Sequence, residues 1–275
     1  MTFDLKRDAL SRTLITAHRG VFGGNIPGNT PESFDGALIQ GADMIELDVS
    51  ISADGELFVF HPGMEPVFLH SDKYLWELPA SEIRKLRFHN GDGTPTQFPI
   101  STFDDVLEHL KGRCYINVDK FLDNPDPISR AIRRHNMMDQ ILVKSKPSED
   151  VTRTLEALAP DVNYMLILKE KDEHSDAMLK RNVNYVGAEV LFTTEDSEFA
   201  TREYIDRMHA KDLIVWVNAI VYNYKDVLAA GHNDDISVPG NMDAGWGWLL
   251  DKGYDIIQTD WPIMLKQYME NRKRR

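Results

Sequence analysis

The sequence predicts an α/β protein, a (β/α)8 TIM barrel with a small insertion after the second strand, spanning residues 1–275 as a single domain. Short β-branched runs alternate with helical patterns, which is typical of βα units on a parallel sheet. Eight such units in 275 residues also match the usual size of a barrel. A doubly wound open sheet is the competing architecture, but a Gly-x-Gly-x-x-Gly turn does not follow the first strand.

Each predicted strand is a short run rich in β-branched and other apolar residues. The eight are Thr13–Ala17, Met44–Val49, Cys114–Val118, Gln140–Lys144, Val162–Leu168, Tyr185–Val190, Leu213–Val217 and Asp255–Thr259. The predicted helices between them often begin with an N-cap residue followed by proline or an acid. The main ones are Thr30–Gln40, Phe103–Leu110, Pro127–His135, Ser148–Leu158, Thr201–His209 and Pro262–Asn271.

The connection after the second strand is irregular. A further β run, Glu56–Phe60, is followed by a turn-rich stretch that extends from Pro62 to Ile100. One helical piece, Pro79–Leu86, interrupts this stretch. We interpret residues 62–100, approximately, as the small insertion in the second βα connection.

Composition narrows the function classes. The 31 Lys and Arg residues against 44 Asp and Glu residues give a formal charge of −13, which argues against nucleic acid as a main partner. Cys114 is the single cysteine, so an intrachain disulfide and a cysteine-based zinc site are excluded. The longest apolar stretch, residues 213–221, is far shorter than the roughly 20 residues of a membrane span. With no apolar signal core at its start, the chain is expected to be soluble and cytoplasmic, although an earlier-removed signal would leave no trace.

In such barrels the active site lies at the carboxyl ends of the strands. Charged, imidazole or aromatic side chains occur at or just after most of the predicted strand ends: His18, Arg19, Glu46, Asp48, His61, Asp119, Lys120, Lys144, Glu189, Trp216 and Asp260. These residues are therefore expected to converge on one rim.

Glu46 and Asp48 are two residues apart on a strand and so point to the same face. Two carboxylates in a barrel mouth repel each other unless a cation or proton intervenes. Asp119 would supply a third oxygen ligand, and such a set suits Mg²⁺ or Ca²⁺ better than Zn²⁺. The alternative is a structural ion network with Arg19, Lys120 or Lys144.

His18 and His61 are candidates for an acid/base pair, or ordinary surface or core histidines. Arg19 is suited to hold a phosphate or carboxylate, or to pair with Glu46 or Asp260, and Lys144 has the same two interpretations. Trp216 is either a wall for an apolar or glycerol-like substrate or a barrel core residue, and Glu189 is the weakest candidate for substrate contact.

Several segments, together with Asp54-Gly, follow one another in an order that matches a known family, and the order and spacing of the first four are specific. They are Ala17-His-Arg-Gly, Pro27-Gly-Asn-Thr-Pro-Glu-Ser-Phe, Gly41-Ala-Asp-Met-Ile-Glu-Leu-Asp-Val, Val59-Phe-His61, Phe98-Pro-Ile-Ser-Thr-Phe-Asp-Asp-Val-Leu, Tyr115-Ile-Asn-Val-Asp-Lys and Tyr254-Asp-Ile-Ile-Gln-Thr-Asp-Trp-Pro. Through these segments the chain resembles the glycerophosphodiester phosphodiesterase family over almost its whole length. The resemblance implies a TIM barrel with a small insertion and a hydrolase of lipid metabolism that releases glycerol 3-phosphate and an alcohol.

The resemblance also implies roles for individual residues. His18 and His61 would be the acid/base pair, and Arg19 would contact the phosphate. Glu46, Asp48 and Asp119 would bind one divalent cation, Mg²⁺ or Ca²⁺, that polarises a small-molecule phosphodiester. These residues match the family's motifs, whereas Lys144, Glu189 and Trp216 are candidates from the strand ends alone.

Three positions depart from the family's pattern. Gly28 replaces the glutamate of its Pro-Glu-Asn-Thr sequence, and Pro62 replaces the aspartate after the second histidine. Its Glu-x-Lys has become Asp119-Lys120, which shortens the ligand and shifts the lysine toward the opposite strand face. Lys144 would then replace the displaced charge.

Three functions remain open at this stage. The first is a metal-dependent phosphodiesterase acting on glycerophosphodiesters. The second is a related phosphodiesterase or phospholyase that acts on lysophospholipids or sugar phosphodiesters, with a cyclic phosphate as one product; the changed positions 28 and 120 motivate it. The third is a phosphodiester-binding module without turnover, which the presence of both histidines and all three carboxylates disfavours. The oligomeric state has no signature in the sequence.

Overall fold

A computed structural model describes residues 3–273. Its nine strands are β1 (Leu14–His18), β2 (Met44–Ile51), β3 (Leu57–Val59), β4 (Tyr115–Asp119), β5 (Ile141–Ser145), β6 (Asn163–Lys169), β7 (Tyr185–Leu191), β8 (Ile214–Asn218) and β9 (Ile256–Thr259). All except β3 pair in parallel, and β1 pairs with both β2 and β9, which closes an eight-stranded barrel. The predicted (β/α)8 fold is confirmed.

Helices cover the outside of the barrel. The longer ones are Leu5–Ser11, Pro31–Ile39, Phe103–Leu110, Pro125–Arg134, Glu149–Leu158, Arg202–His209, Trp248–Lys252 and Pro262–Lys273. Short α-helical turns are Glu65–Phe68, Ala80–Ile83, Ser175–Met178 and Asp234–Ser237. The 3₁₀ turns are Leu75–Glu77, Phe121–Asp123, Glu198–Ala200 and Ala229–Gly231, and Asp243–Gly247 forms a π-helical turn. Between residues 3 and 273, none of these helices has the length and apolar character to cross a bilayer.

The insertion after β2 begins with an antiparallel hairpin. In it, β3 pairs with the end of β2, through Val49 opposite Val59 and Ile51 opposite Leu57. Residues 58–100 then form their own apolar cluster, which includes Phe58, Phe60 and Leu75. The insertion therefore lies beside the barrel mouth, because His61 comes two residues after the end of this hairpin.

The lower half of the barrel interior is a separate apolar layer. Side chains from all eight barrel strands, among them Met44, Leu142 and Trp216, pack there against Leu5 and Ala9 of the N-terminal helix. That helix is capped by Asp4, whose side chain accepts a hydrogen bond from the backbone N–H of Arg7. It closes the amino end of the barrel, so the polar groups lie at the opposite end.

Candidate active site

Three carboxylates converge at the carboxyl ends of β2 and β4. The strand register sets Glu46 beside Asn117 and Asp48 beside Asp119. One oxygen from each of Glu46, Asp48 and Asp119 lies within 4.8 Å of the other two. Glu46 and Asp48 are buried, and Asp119 is partly buried. The predicted trio is therefore brought together on one rim.

The charges of this trio are unequally balanced. Burial raises the pKa of Glu46, and the charge of Asp48 adds to the increase. Burial alone would also raise the pKa of Asp119, but the charge and hydrogen bond of Lys120, with a contribution from Lys144, hold that pKa below its usual value. The charge of Asp119 is thus balanced by lysine, whereas the charged form of Glu46 is disfavoured where it lies.

The donor set fits a hard divalent cation. Asp48 Oδ1 is buried and, among residues 3–273, has no hydrogen-bond partner. A buried carboxylate oxygen without a partner is costly unless a ligand satisfies it. Three carboxylates, with no thiolate, are the donors that Mg²⁺ or Ca²⁺ prefers. Glu46, Asp48 and Asp119 would hold such an ion.

Asp48 is fixed by residues that follow β1. The Asn29 amide donates to Asp48 Oδ2 at 2.9 Å and accepts from the Asp48 backbone N–H at 3.2 Å. Arg19 Nε lies 3.0 Å from Asp48 Oδ2, and the Arg19 backbone N–H donates to Glu46 Oε2 at 3.0 Å. Through its guanidinium, Arg19 therefore pairs with Asp48 rather than with Glu46 or Asp260. Metal binding by Asp48 stays a prediction.

His18 lies at the end of β1 and is oriented from the last strand. Its Nδ1 is 2.9 Å from Asp260 Oδ1, which follows β9. Burial acts to lower the pKa of His18, but the Asp260 hydrogen bond and the charges of Glu46 and Asp260 outweigh burial and raise it. His18 is thus suited to carry a proton. Because Asp260 contacts Nδ1, Nε2 is the ring nitrogen left to contact a ligand in the barrel mouth.

His61 is oriented by the backbone. Its Nδ1 lies 2.9 Å from the carbonyl oxygen of Pro62, which accepts a hydrogen bond from Nδ1–H. This carbonyl takes the place of the carboxylate that Pro62 was predicted to remove. His61 Nε2 faces the trio, at 3.9 Å from Asp48 Oδ1. The two histidines therefore approach the same carboxylate cluster with different partners behind them.

The two lysines are arranged differently from the prediction. Lys120 does not point away from Asp119: its Nζ donates to Asp119 Oδ2 at 2.6 Å. The reason is that β4 ends at Asp119, and Lys120 adopts a left-handed conformation with φ of 61°, so strand alternation no longer applies. Lys144 forms a buried ion pair with Glu189, with Nζ 2.8 Å from Oε2.

Trp216 lies under this ion pair. The Lys144 ammonium is 3.8 Å from the centroid of the indole, a cation–π contact. The Trp216 indole N–H donates to Asn218, whose amide donates to Glu189. Trp216 is 0% exposed, as expected for a barrel residue. Direct substrate contact by Lys144, Glu189 and Trp216 stays a prediction.

Sequence reasoning missed several contributors. No role was assigned to Asn29, although it lies in the quoted motif that begins at Pro27, and Asp260 was expected on the rim and as a partner for Arg19 but not for His18. Tyr222 had no signal at all: it is an exposed residue of the loop after β8, and desolvation on the side that faces the mouth, with the charges of Glu189, Glu46 and Asp119, raises its pKa. Its position depends on how that loop folds over the mouth, which periodicity does not encode.

The chain matches one protein family over most of its length. The model of the glycerophosphoryl diester phosphodiesterase family matches residues 18–263. A glycerophosphodiester phosphodiesterase from Bacillus altitudinis is 25% identical over 215 residues, covering 74% of this chain and 84% of that protein.

Solved structures show the same fold. A glycerophosphoryl diester phosphodiesterase from Parabacteroides distasonis superposes with a TM-score of 0.80 at 18% identity, covering 98% of this chain and 93% of that one. An Oleispira antarctica phosphodiesterase, solved with its product sn-glycerol-3-phosphate, gives a TM-score of 0.68 at 17% identity, with 95% and 99% of the two chains covered.

Proposed function

Because the chain belongs to the glycerophosphoryl diester phosphodiesterase family, and is thus a phosphoric diester hydrolase, we propose that it hydrolyses glycerophosphodiesters to glycerol 3-phosphate and an alcohol. One divalent cation, Mg²⁺ or Ca²⁺, assists. One observation carries this proposal: His18 and His61 both lie near the carboxylate trio, in which the buried Asp48 Oδ1 has no hydrogen-bond partner among residues 3–273. A phosphodiester-binding module would have no need for this combination.

The cation, when bound by Glu46, Asp48 and Asp119, would polarise the phosphodiester and orient the glycerol hydroxyls. Arg19, at the edge of the trio, contacts a non-bridging phosphate oxygen. Its guanidinium is already held by Asp48, so little side-chain entropy is lost when the phosphate arrives.

The partners of the two histidines distinguish their roles. In His61 the proton on Nδ1 is held by the Pro62 carbonyl, so Nε2 is the basic nitrogen. We assign His61 as the base that takes a proton from the nucleophile, either water or the substrate's neighbouring hydroxyl. His18, whose pKa is raised, gives its Nε2 proton to the oxygen of the departing alcohol.

Lys144, Glu189 and Trp216 support the mouth from below in this proposal. Lys144 and Glu189 form a nearly neutral buried pair, which Trp216 and Asn218 hold in place. Lys144 also lies close enough to lower the pKa of Asp119. We propose that this group contacts the hydroxyl groups of the substrate through Lys144 and Glu189, with Trp216 as the apolar support of the ammonium.

The experiment uses metal-stripped protein and glycerophosphocholine, with Mg²⁺, Ca²⁺ or Mn²⁺ added back. We expect metal-restored release of glycerol 3-phosphate, followed by phosphorus NMR, which also separates hydrolysis from formation of a cyclic phosphate. His109→Ala is the matched control for His61→Ala, because His109 pairs with Asp35 away from the trio. Equal turnover with and without metal, or in His61→Ala and His109→Ala, would contradict the proposal.

A further inference from the structure

A groove runs from the catalytic rim toward the insertion. Its volume is about 540 Å³, within the usual range for small-molecule sites. Arg19, Asn29 and His61 line one end, so the groove is continuous with the proposed phosphate position. Its far side is lined by the loop after β1 and by residues 67–93 of the insertion.

The groove lining is mainly apolar. Phe22 and Ile26 come from the loop after β1 and are 49% and 40% exposed, and Val67, from the insertion, is 55% exposed. Phe68 and Phe88 of the insertion also line the groove. Large apolar side chains that face one open cavity together are typical of a binding surface rather than of incidental exposure. We propose that this groove binds a hydrocarbon chain of the substrate, so that the preferred phosphodiester carries an alkyl or acyl substituent. This inference rests on the proposed function.

Gly28 allows Phe22 to line the end of the groove next to Arg19, where the phosphate is proposed to bind. A Cβ atom at position 28 would lie 3.2 Å from Phe22 Cδ1 and 3.2 Å from Arg19 Cβ, closer than ordinary packing. The space that a side chain would need is therefore taken by the Phe22 ring and the Arg19 stem. The glutamate found at this place in the family's motif would push Phe22 aside and add a carboxylate to the groove. Its replacement by glycine makes this end of the groove less polar.

The charge of the groove does not suit a cationic head group. Of the residues that line it, Asp92 is the one carboxylate, and it is exposed. Arg19 adds a positive charge at the inner end. The rings of His70 and His89 stack with centroids 3.9 Å apart and form a flat section of wall. Dispersion and burial of a chain are thus the main interactions that the groove offers.

The test uses two series of soluble phosphodiesters with chains of two to eight carbons. In one series the chain is the alkyl alcohol of a glycerophosphodiester. In the other it is an acyl group on the glycerol of glycerophosphoethanol. Burial of each methylene is expected to raise kcat/KM by about fourfold until the groove is filled. A rise in either series supports the proposal, and the series in which it occurs identifies the end of the substrate that enters the groove.

Variants localise the effect. Phe22→Ser and Val67→Ser should reduce the increase per methylene, and Gly28→Glu should reduce it more than Gly28→Ala. Ile39→Ser is the matched control, since Ile39 is 85% exposed on the helix Pro31–Ile39 and does not line the groove. Calorimetric binding of non-hydrolysable phosphonates of the same chain lengths gives a readout that does not require turnover.

The outcomes separate the two proposals. Hydrolysis of the two-carbon substrates with no dependence on chain length in either series, or a dependence unchanged in Phe22→Ser, would overturn the groove assignment and leave the phosphodiesterase intact. Loss of all turnover together with length-dependent phosphonate binding would instead support the groove and contradict the proposed reaction. Phosphonate binding that ignores chain length would overturn the groove in either case.

Discussion

Asp260 Oδ1 lies 2.9 Å from Nδ1 of His18, so the residue after the last barrel strand orients a histidine at the end of the first. The two strands are neighbours because β1 pairs with β9 when the barrel closes. Asp260 is itself held: its backbone N–H donates to the buried carboxylate of Asp234 at 2.9 Å. Burial raises the pKa of Asp234 to about 7. The pairing of β1 with β9 that closes the barrel therefore also brings Asp260 next to His18.

Asp260→Asn is expected to shift the pH–rate profile. The carboxylate stabilises the protonated form of His18, so its neutralisation should lower the pKa of His18. The limb of the profile that reports His18 should move to lower pH at a fixed metal concentration. Asp212→Asn is the control, because Asp212 pairs with Lys6 away from the mouth. An unchanged profile in Asp260→Asn would show that Asp260 does not set the protonation of His18.

His18→Ala and His61→Ala are each expected to lower kcat by about 10² to 10⁴, the usual contribution of a general acid or base. Neither histidine belongs to the carboxylate trio, so calorimetric affinity for Mg²⁺ or Ca²⁺ should remain close to that of the wild type. Turnover equal to that of the wild type in both variants would remove the acid/base assignment.

Glu46→Gln is expected to stabilise the folded protein without metal and to make it less stable than the wild type when metal is present. Without a cation, the charge of Glu46 is disfavoured by burial and by Asp48, so the variant should unfold with a free energy larger by on the order of 2 kcal/mol at neutral pH. Below about pH 4 the glutamate is largely protonated in both states, so the advantage should vanish there; it should grow as pH rises from the unfolded pKa of 4.5 toward the folded pKa of about 7 and level off above that.

Added Ca²⁺ or Mg²⁺ should reverse this order. A cation that binds the folded state raises the Tm of the wild type by mass action, whereas the variant lacks one charged ligand. Thermal unfolding at several metal concentrations provides the measurement. Equal metal-dependent increases in Tm for both proteins would place the cation elsewhere.

The buried pair of Lys144 and Glu189 predicts non-additive stability. The side chains are 7% and 6% exposed, so Lys144→Met or Glu189→Gln alone should cost about 3 to 5 kcal/mol in urea unfolding. The double variant should cost less than the sum, because no unpaired charge is left buried. The exposed pair of Arg130 and Asp126 is the control, where Asp126→Asn should cost at most about 1 kcal/mol. Additive losses at the buried pair would contradict this account.

The barrel was predictable because buried strands and amphipathic helices leave a periodic record. The predicted strand ends fell short where polar residues finish the strand: Val118 was expected as the last residue of the third barrel strand, but Asp119 continues it. The N-terminal helix Leu5–Ser11 was not predicted. It is only seven residues long, and its burial depends on the barrel that it closes.

The sequence was sufficient to predict which side chains lie on the rim of the barrel, but not the backbone conformations and contacts that orient them. Topology brings strand ends together, so Glu46, Asp48 and Asp119 were expected to meet. The conformation of Lys120 and the carbonyl behind His61 depend on single backbone torsions after a strand. The groove depends on the loop at Phe22 packing opposite an insertion some 40 residues later, and no local pattern records that distance.

The apolar layer at the amino end of the barrel leaves the carboxyl end as the route to the candidate site. Leu5 and Ala9 pack on the apolar layer that contains Trp216, so buried apolar side chains fill the amino end of the barrel. Under the proposed function, substrate, water and both products would therefore share the opening bordered by His18, His61 and the groove. The phosphate-bearing product would then compete with the next substrate for Arg19, so glycerol 3-phosphate is expected to inhibit competitively.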